Sequence, residues 1–379
     1  ALSPSISTYP PNLARELFSK VPGYRRIYSD TLLVNYVPGM EDAYVKRILF
    51  ATEKEAEVTF YLMENCEWDF FMTHFYFGDQ IQHFLWKYIN PKHPAFDPEG
   101  SEKYGDVILK YYQKIDDVMG QILRKIDVNT TMIVMSDHGM GPLYKRVYIN
   151  HWLRKLGLLK LKESNPTEIR HWPSKLGFSR EKLFKLVEKH SFPKFLMKIV
   201  PRSIARIFYW GVPIAYPTLD DIDYRRTKAY SAGHVGQIFI NLKGRDPEGI
   251  VPEGEYEELR TYITQKLYEL ADPESGEKIV DKVFRKEEIY WGPYIEQISD
   301  LLFIMRNMAY ITQSSMGSGT PWEFGPDLNS LTGPPGYFTA WHRMDGILMA
   351  TGHDIKKEAT IENVRIIDLA PTILRIFDV

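Results

Sequence analysis

Residues Thr131–Pro142 read TMIVMSDHGMGP. An apolar, β-leaning run from Met132 to Met135 gives way to the polar tip Ser136-Asp137-His138. Gly139 and Gly141 follow, where a chain can turn sharply. This is how a buried parallel strand carries reactive side chains to its carboxyl end. Ligands of open α/β sheets bind in the crevice outside those ends, which makes Asp137 and His138 candidate metal ligands. Taken alone, the same pattern also fits a strand end closed by a solvated Asp-His pair.

A second stretch repeats the arrangement. Trp68–Phe77, WDFFMTHFYF, is apolar enough for another buried strand and runs into Gly78-Asp79-Gln80-Ile81-Gln82-His83. Asp79 and His83 are four residues apart, so a helix starting there would put both on one face. Between the two stretches, Ser101–Ile126 carries apolar residues at Val107, Ile108, Tyr111, Ile115, Val118, Met119 and Ile122, a helical stripe. Strand, helix and strand then form a right-handed crossover, with both ligand-bearing ends on one edge of the sheet.

The third piece is Trp341–Ala350, WHRMDGILMA, in which His342 precedes an Asp-Gly turn and a strand-like run. In order and spacing, D-x-x-x-H, SDHG and H-R-x-D-G-I-L resemble the alkaline phosphatase superfamily, in its type I phosphodiesterase/nucleotide pyrophosphatase branch. Arg226-Thr227-Lys228-Ala229-Tyr230, Ile240–Arg245, Gly249-Ile250-Val251 and Asp368–Thr372 look like that branch too, so the resemblance runs over most of the chain. It implies a three-layer α/β/α sandwich with a mainly parallel central sheet and a helical cap insert.

The resemblance also implies two divalent metal ions. Asp79, His83 and His342 match the ligands of one, and Asp137 and His138 match ligands of the other. Mixed imidazole and carboxylate suit zinc, and manganese as well, while the carboxylates offset charge beside an anionic substrate. The implied activity is hydrolysis of phosphodiester or nucleotide pyrophosphate bonds, with a small anionic phosphoester such as a nucleotide as substrate. The branch also uses an N-terminal strand with one more Asp ligand, then a Ser or Thr nucleophile at a helix start, both ahead of the region matching Tyr9–Arg15. Ser3, Ser5, Ser7 and Thr8 lack that strand–turn–helix context. The nucleophile is therefore expected outside this sequence, and the chain reads as part of a longer polypeptide.

Two neighbouring activities fit the same motifs, a phosphomonoesterase and a phosphate-shifting mutase. A sulfatase is disfavoured because the C/S-x-P-x-R signature is missing and Cys66 sits in Asn65-Cys66-Glu67. A non-catalytic metal- or phosphate-binding protein, or an inactive fragment, is the alternative of another class.

At 379 residues the chain can bury a large core, and its composition of 44% hydrophobic and 25% charged residues is that of a globular protein. The net charge of −2 names no partner, but its distribution is uneven. His151–Trp210 holds 14 Lys or Arg against 4 Asp or Glu, punctuated by Pro193 and Pro201. We read residues 151–215 as a basic helical cap that attracts an anionic substrate, between two parts of an α/β core at 1–150 and 216–379. The bland reading of that segment is a solvated basic surface; no clear nucleic-acid or membrane partner emerges.

One cysteine, Cys66, and the lack of an apolar run of about 18 residues fit a soluble cytoplasmic protein. Cys66 is expected to be buried ahead of a strand and His74 to be a core residue within one. His234 and His353 each follow Gly in loop-like sequence, and His234 is the candidate substrate contact. Helices are expected at Asn12–Lys20, Glu41–Asn65, Glu255–Leu270 and Ile366–Phe377, and strands at Gln237–Leu242, Ser299–Met305 and Ile347–Ala350. A long polar loop is expected over 313–336.

Overall fold

The computed structural model describes residues 8–29, 36, 39–162, 219–272, 275–314, 338–353 and 355–379. Of the expected loop at 313–336, Gln313 and Ser314 are described and Gln313 ends a strand; the rest of the loop and the greater part of the expected cap fall outside these residues. Helices α1 (Leu13–Lys20), α2 (Tyr24–Ser29) and α3 (Glu41–Asn65) open the chain. Helix α3 keeps the predicted bounds, because Val45, Ile48 and Leu49 recur at helical spacing and Lys54–Glu57 are strong helix formers.

Helix α4 (Phe77–Leu85) follows, then α5 (Pro98–Tyr104) and α6 (Val107–Lys125). Tyr44, Ile48 and Ala51 of α3, Phe77, Ile81, Phe84 and Leu85 of α4, and Val107, Ile108 and Tyr111 of α6 form one buried cluster. A nine-residue helix such as α4 is marginal alone in water. Its four buried apolar side chains, at roughly 1.5–3 kcal/mol each when fully buried, are what hold it. The stretch expected to be a single helix over 101–126 is divided at Gly105-Asp106 and starts earlier. Pro98 sits at the first helical position, and the Asp97 carboxylate accepts from the Gly100 amide.

The Trp68–Phe77 segment departs from expectation. It belongs to no strand, with bends at Asp69-Phe70 and a turn at Tyr76, and its last residue, Phe77, already opens α4. An apolar run becomes a strand only when a neighbour supplies a ladder, and among the described residues none lies beside it. The segment is held by side chains instead: Thr73 Oγ1 is 2.8 Å from Thr59 Oγ1, and Phe75 packs with Val118 and Ile122. His74 is consequently exposed and stands edge-on to Tyr76, which corrects its placement in the core. Cys66, directly behind α3, is exposed as well.

Strand β1 (Met132–Met135) leads through Ser136-Asp137-His138 into β2 (Gly139–Pro142), β3 (Lys145–Tyr148) and α7 (Ile149–Lys155). Strands β4 (Ala229–Tyr230) and β5 (Gln237–Ile240), helix α8 (Glu253–Glu269), β6 (Val280–Arg285), α9 (Lys286–Ile289), β7 (Leu301–Met305) and β8 (Tyr310–Gln313) come next. The chain closes with β9 (Ala340–Arg343), β10 (Leu348–Thr351) and α10 (Leu369–Ile376), which has Pro371 in its first turn.

The structure is mixed α/β. Strand β3 pairs in parallel with β8, while β1–β10 and β2–β9 are antiparallel pairs. Strands β4-β5-β7-β6 form a four-stranded antiparallel sheet. Trp152, Leu153, Leu158 and Leu159, at the start of the 151–215 span, pack with Ile238, Leu301 and Phe303 of that sheet and Ile263 and Leu267 of α8. Arg245 closes the far side of the sheet: it donates to both oxygens of the fully buried Asp300 at 2.6 and 2.9 Å, and Tyr256 and the Ile240 amide donate to the same carboxylate. A buried carboxylate so paired escapes the desolvation that a lone one would suffer.

Helix α3 also carries a carboxyl with no such relief. Burial raises the Glu55 carboxyl from the ordinary 4.5 to about 8, and its Oε2 is buried with no hydrogen bond. The folded protein therefore keeps a proton there that the unfolded chain gives up, and stability falls as pH rises between those two values. We expect the melting temperature to decline from pH 5 to pH 8 by several degrees. Glu55→Gln, which keeps the shape without the charge, should flatten that decline and raise stability most at pH 8 and above.

Candidate metal centre

Helix α4 and strand β9 meet end to side. The Thr339 amide donates to the His83 carbonyl at 2.6 Å and the Thr339 hydroxyl to the same oxygen at 3.2 Å. These bonds satisfy one of the carbonyls that a helix leaves open at its C-terminal end, and they bring the start of β9 against α4. The His83 ring lies 2.8 Å from the Ala340 carbonyl through Nδ1. A carbonyl only accepts, so the proton sits on Nδ1 and the Nε2 lone pair is turned the other way.

Strand β9 is held in turn by β2. Gly139 stands opposite Arg343, Met140 opposite His342 and Gly141 opposite Trp341. The two glycines are required here: a Cβ on Gly139 would come within 2.0 Å of the Asp345 carbonyl oxygen, and one on Gly141 within 2.4 Å of Arg343 Nε. The Arg343 guanidinium donates to the carbonyls of Met308, Pro142, Trp341 and His342. Ser136 joins the two motifs again. Its amide donates to the Ile347 carbonyl at 3.1 Å and its hydroxyl accepts from the Ile347 amide at 2.9 Å.

These constraints bring four of the predicted ligands to one point. Asp79 Oδ1 is 3.2 Å from His83 Nε2 and 3.3 Å from His342 Nε2, and the two nitrogens are 3.2 Å apart. His138 stacks on His342 at 3.6 Å with an interplanar angle of 18°, and its Nε2 is 3.9 Å from the same oxygen. The His138 Nδ1 faces the Gly139 carbonyl at 3.0 Å, which leaves its Nε2 unprotonated too. Asp137, 75% exposed, reaches His138 Nε2 at 3.5 Å through Oδ2 and extends the cluster outward. Aromatic rings close the inner side, with Phe338 and Trp341 against His83 and Trp341 stacked on His342.

The donor set fits a metal ion. An aspartate carboxyl such as that of Asp79 is anionic at neutral pH. Its Oδ1 is nevertheless buried without a hydrogen bond, which is costly unless something else satisfies it. Four ligands at ~2.0–2.1 Å around a tetrahedral ion stand ~3.3 Å from one another. The three separations among Asp79, His83 and His342 match that edge, and these three form the one group among the described residues in which three His, Cys, Asp or Glu donors converge.

A model of the type I phosphodiesterase / nucleotide pyrophosphatase family matches residues 3–337. The chain belongs to that family. Membership makes it a phosphoric ester hydrolase, and the family is typically metal-dependent. No curated protein and no solved structure matches the chain. The matched span contains Asp79, His83, Asp137 and His138; His342 lies five residues beyond it, and the β2–β9 ladder carries it into the group.

His234 is exposed on the turn before β5, with Nδ1 3.4 Å from the Thr312 carbonyl, and touches none of the five ligand candidates among the described residues. Buried His93 shows what a structural histidine looks like in this fold. Its Nδ1 accepts from the Ala95 amide and its Nε2 donates to the Leu143 carbonyl. Gln80 was not singled out by sequence, although it lies inside the D-x-x-x-H motif: its Nε2 donates to Asp79 Oδ2 at 3.1 Å.

His342→Ala should lower zinc affinity by more than the roughly 10–100-fold that follows loss of an outer-shell partner, measured by competition with a chromophoric chelator. Gly139→Ala should do so without touching a ligand, since its Cβ would drive the Asp345 backbone, and with it the β2–β9 register, out of place. Circular dichroism would show a folded protein in both cases.

Proposed function

We propose that this family member hydrolyses phosphodiester or nucleotide pyrophosphate bonds with two divalent metal ions, zinc or manganese. Asp79, His83 and His342 hold one ion, and Asp137 and His138 contribute to the second. The observation that carries the proposal is the buried, anionic Asp79 Oδ1 facing imidazole nitrogens at tetrahedral edge lengths with no hydrogen bond of its own.

The chain's own groups do three things in this reading. The Ala340 and Gly139 carbonyls hold His83 and His138 in the tautomer that presents Nε2. Asp79 and Asp137 place negative charge where cations collect, so the centre keeps only part of its positive charge when an anionic phosphoester arrives. Exposed Asp137 lies on the open side, opposite the rings of Phe338 and Trp341, and marks the side from which substrate enters. When bound, the ions supply Lewis-acid stabilisation of charge on the phosphoryl oxygens. The attacking group in this reading is a Ser or Thr hydroxyl.

The three-layer arrangement with a mainly parallel sheet, the basic cap over residues 151–215, His234 as a substrate contact and a cytoplasmic location belong to the same proposal. The arrangement rests on the family, the cap on the charge distribution, His234 on its loop-like place after Gly233, and the location on the single cysteine and the lack of a long apolar run in the sequence.

Turnover of an aryl phosphodiester compared with the corresponding aryl phosphomonoester, with and without chelator, tests the assignment. We expect faster diester turnover that is lost on metal removal and restored by zinc or manganese. Faster monoester turnover would place the protein with the phosphomonoesterases, and zinc uptake without turnover of either ester would make it a binding protein.

A further inference from the structure

Asp79 has two oxygens, and only one of them faces the imidazoles. The other, Oδ2, takes a hydrogen bond of 3.1 Å from Gln80 Nε2. The same amide nitrogen donates to the Tyr76 hydroxyl at 2.9 Å, so both of its hydrogens are used. An anionic carboxylate only accepts, so the amide must present nitrogen to it. Gln80 is itself fixed. It is buried, and its backbone carbonyl accepts from the buried Tyr44 hydroxyl at 3.0 Å. Adjacent residues on a helix do not ordinarily face each other; here the amide turns back along the first turn of α4 onto its neighbour's carboxylate.

We propose that Gln80 is a positioning residue that occupies Asp79 Oδ2 and thereby delivers Oδ1 alone, monodentate, to the metal. This rests on the reading of Asp79, His83 and His342 as a metal centre. A carboxylate with both oxygens available can rotate and bind an ion bidentately, which crowds the remaining positions and changes the coordination number. With Oδ2 tied to a buried amide, the carboxylate plane is set before the ion arrives, and the open position is kept for substrate. Outer-shell partners of this kind are worth about 10–100-fold in metal affinity. Tyr76, 40% exposed, closes the chain of hydrogen bonds at the surface, so Tyr76→Phe disturbs the same amide from outside the core.

The test is zinc binding by the full chain and its Gln80→Met, Gln80→Glu, Tyr76→Phe and His83→Ala variants, by competition with a chromophoric chelator, together with zinc-edge X-ray absorption. Met keeps the length of the side chain and removes the donor; Glu replaces the donor with an acceptor. We expect His83→Ala to lose zinc, Gln80→Met to bind about 10–100-fold more weakly, Gln80→Glu more weakly still and Tyr76→Phe to shift in the same direction by less. The absorption fit should change from one carboxylate oxygen in the parent to two in Gln80→Met, a change that loss of packing alone would not produce. Gln80→Met and Tyr76→Phe affinities within twofold of the parent, with His83→Ala still defective, would overturn the role of Gln80 and leave the metal centre standing. No zinc uptake by the parent would overturn both.

Discussion

The register between β2 and β9 is the constraint on which the site depends. His342 is opposite Met140, with Trp341 opposite Gly141 and Arg343 opposite Gly139. A slip of one residue would exchange them, turning the imidazole away from Asp79 and putting an indole or a guanidinium in its place. Several local features act against that slip. Gly139 and Gly141 have no side chain to push the strands apart, and Arg343 ties the carbonyls of Met308, Pro142, Trp341 and His342 together from the opposite face. Burial lowers the affinity of that guanidinium for its proton, yet its hydrogen bonds go to neutral carbonyls, so it braces the ladder without bringing a carboxylate with it.

The second support is the helix that carries Asp79 and His83. Its apolar side is buried between α3 and α6, and its C-terminal carbonyl at His83 is taken by Thr339. Rotation of α4 would therefore break the core contacts of Phe77, Ile81, Phe84 and Leu85 as well as the link to β9. Packing energy is in this way converted into ligand geometry. The same helix provides Gln80, so one turn of α4 supplies a ligand and the group that orients it.

Chemistry collects here because the burial is uneven. His83 is almost wholly enclosed, Asp79 and His138 are partly covered and Asp137 is open to solvent. A metal at the inner end would be bounded by aromatic rings, which exclude water and strengthen electrostatic interactions. The outer end remains accessible to an anion.

Much of this was legible in the residues themselves. The spacing of Asp79 and His83 and the SDHG tip after Met135 marked four ligand candidates, since helical and strand periodicities are local properties that side-chain pattern records, and the family resemblance of H-R-x-D-G-I-L added His342. The bounds of α3 and the strands at Met132, Gln237 and Leu301 were readable for the same reason. What local pattern does not contain is who sits beside whom. Trp68–Tyr76 has a strand's composition and no described ladder, and Cys66 and His74 are exposed. Only the tertiary structure showed that Met140 faces His342, that the Ala340 carbonyl selects the tautomer of His83 and that Gln80 turns onto Asp79. Each of these is a contact made across the fold or by a bend of a side chain against its usual direction. The sequence determined which groups can bind a metal, and the fold determined which of their atoms face it.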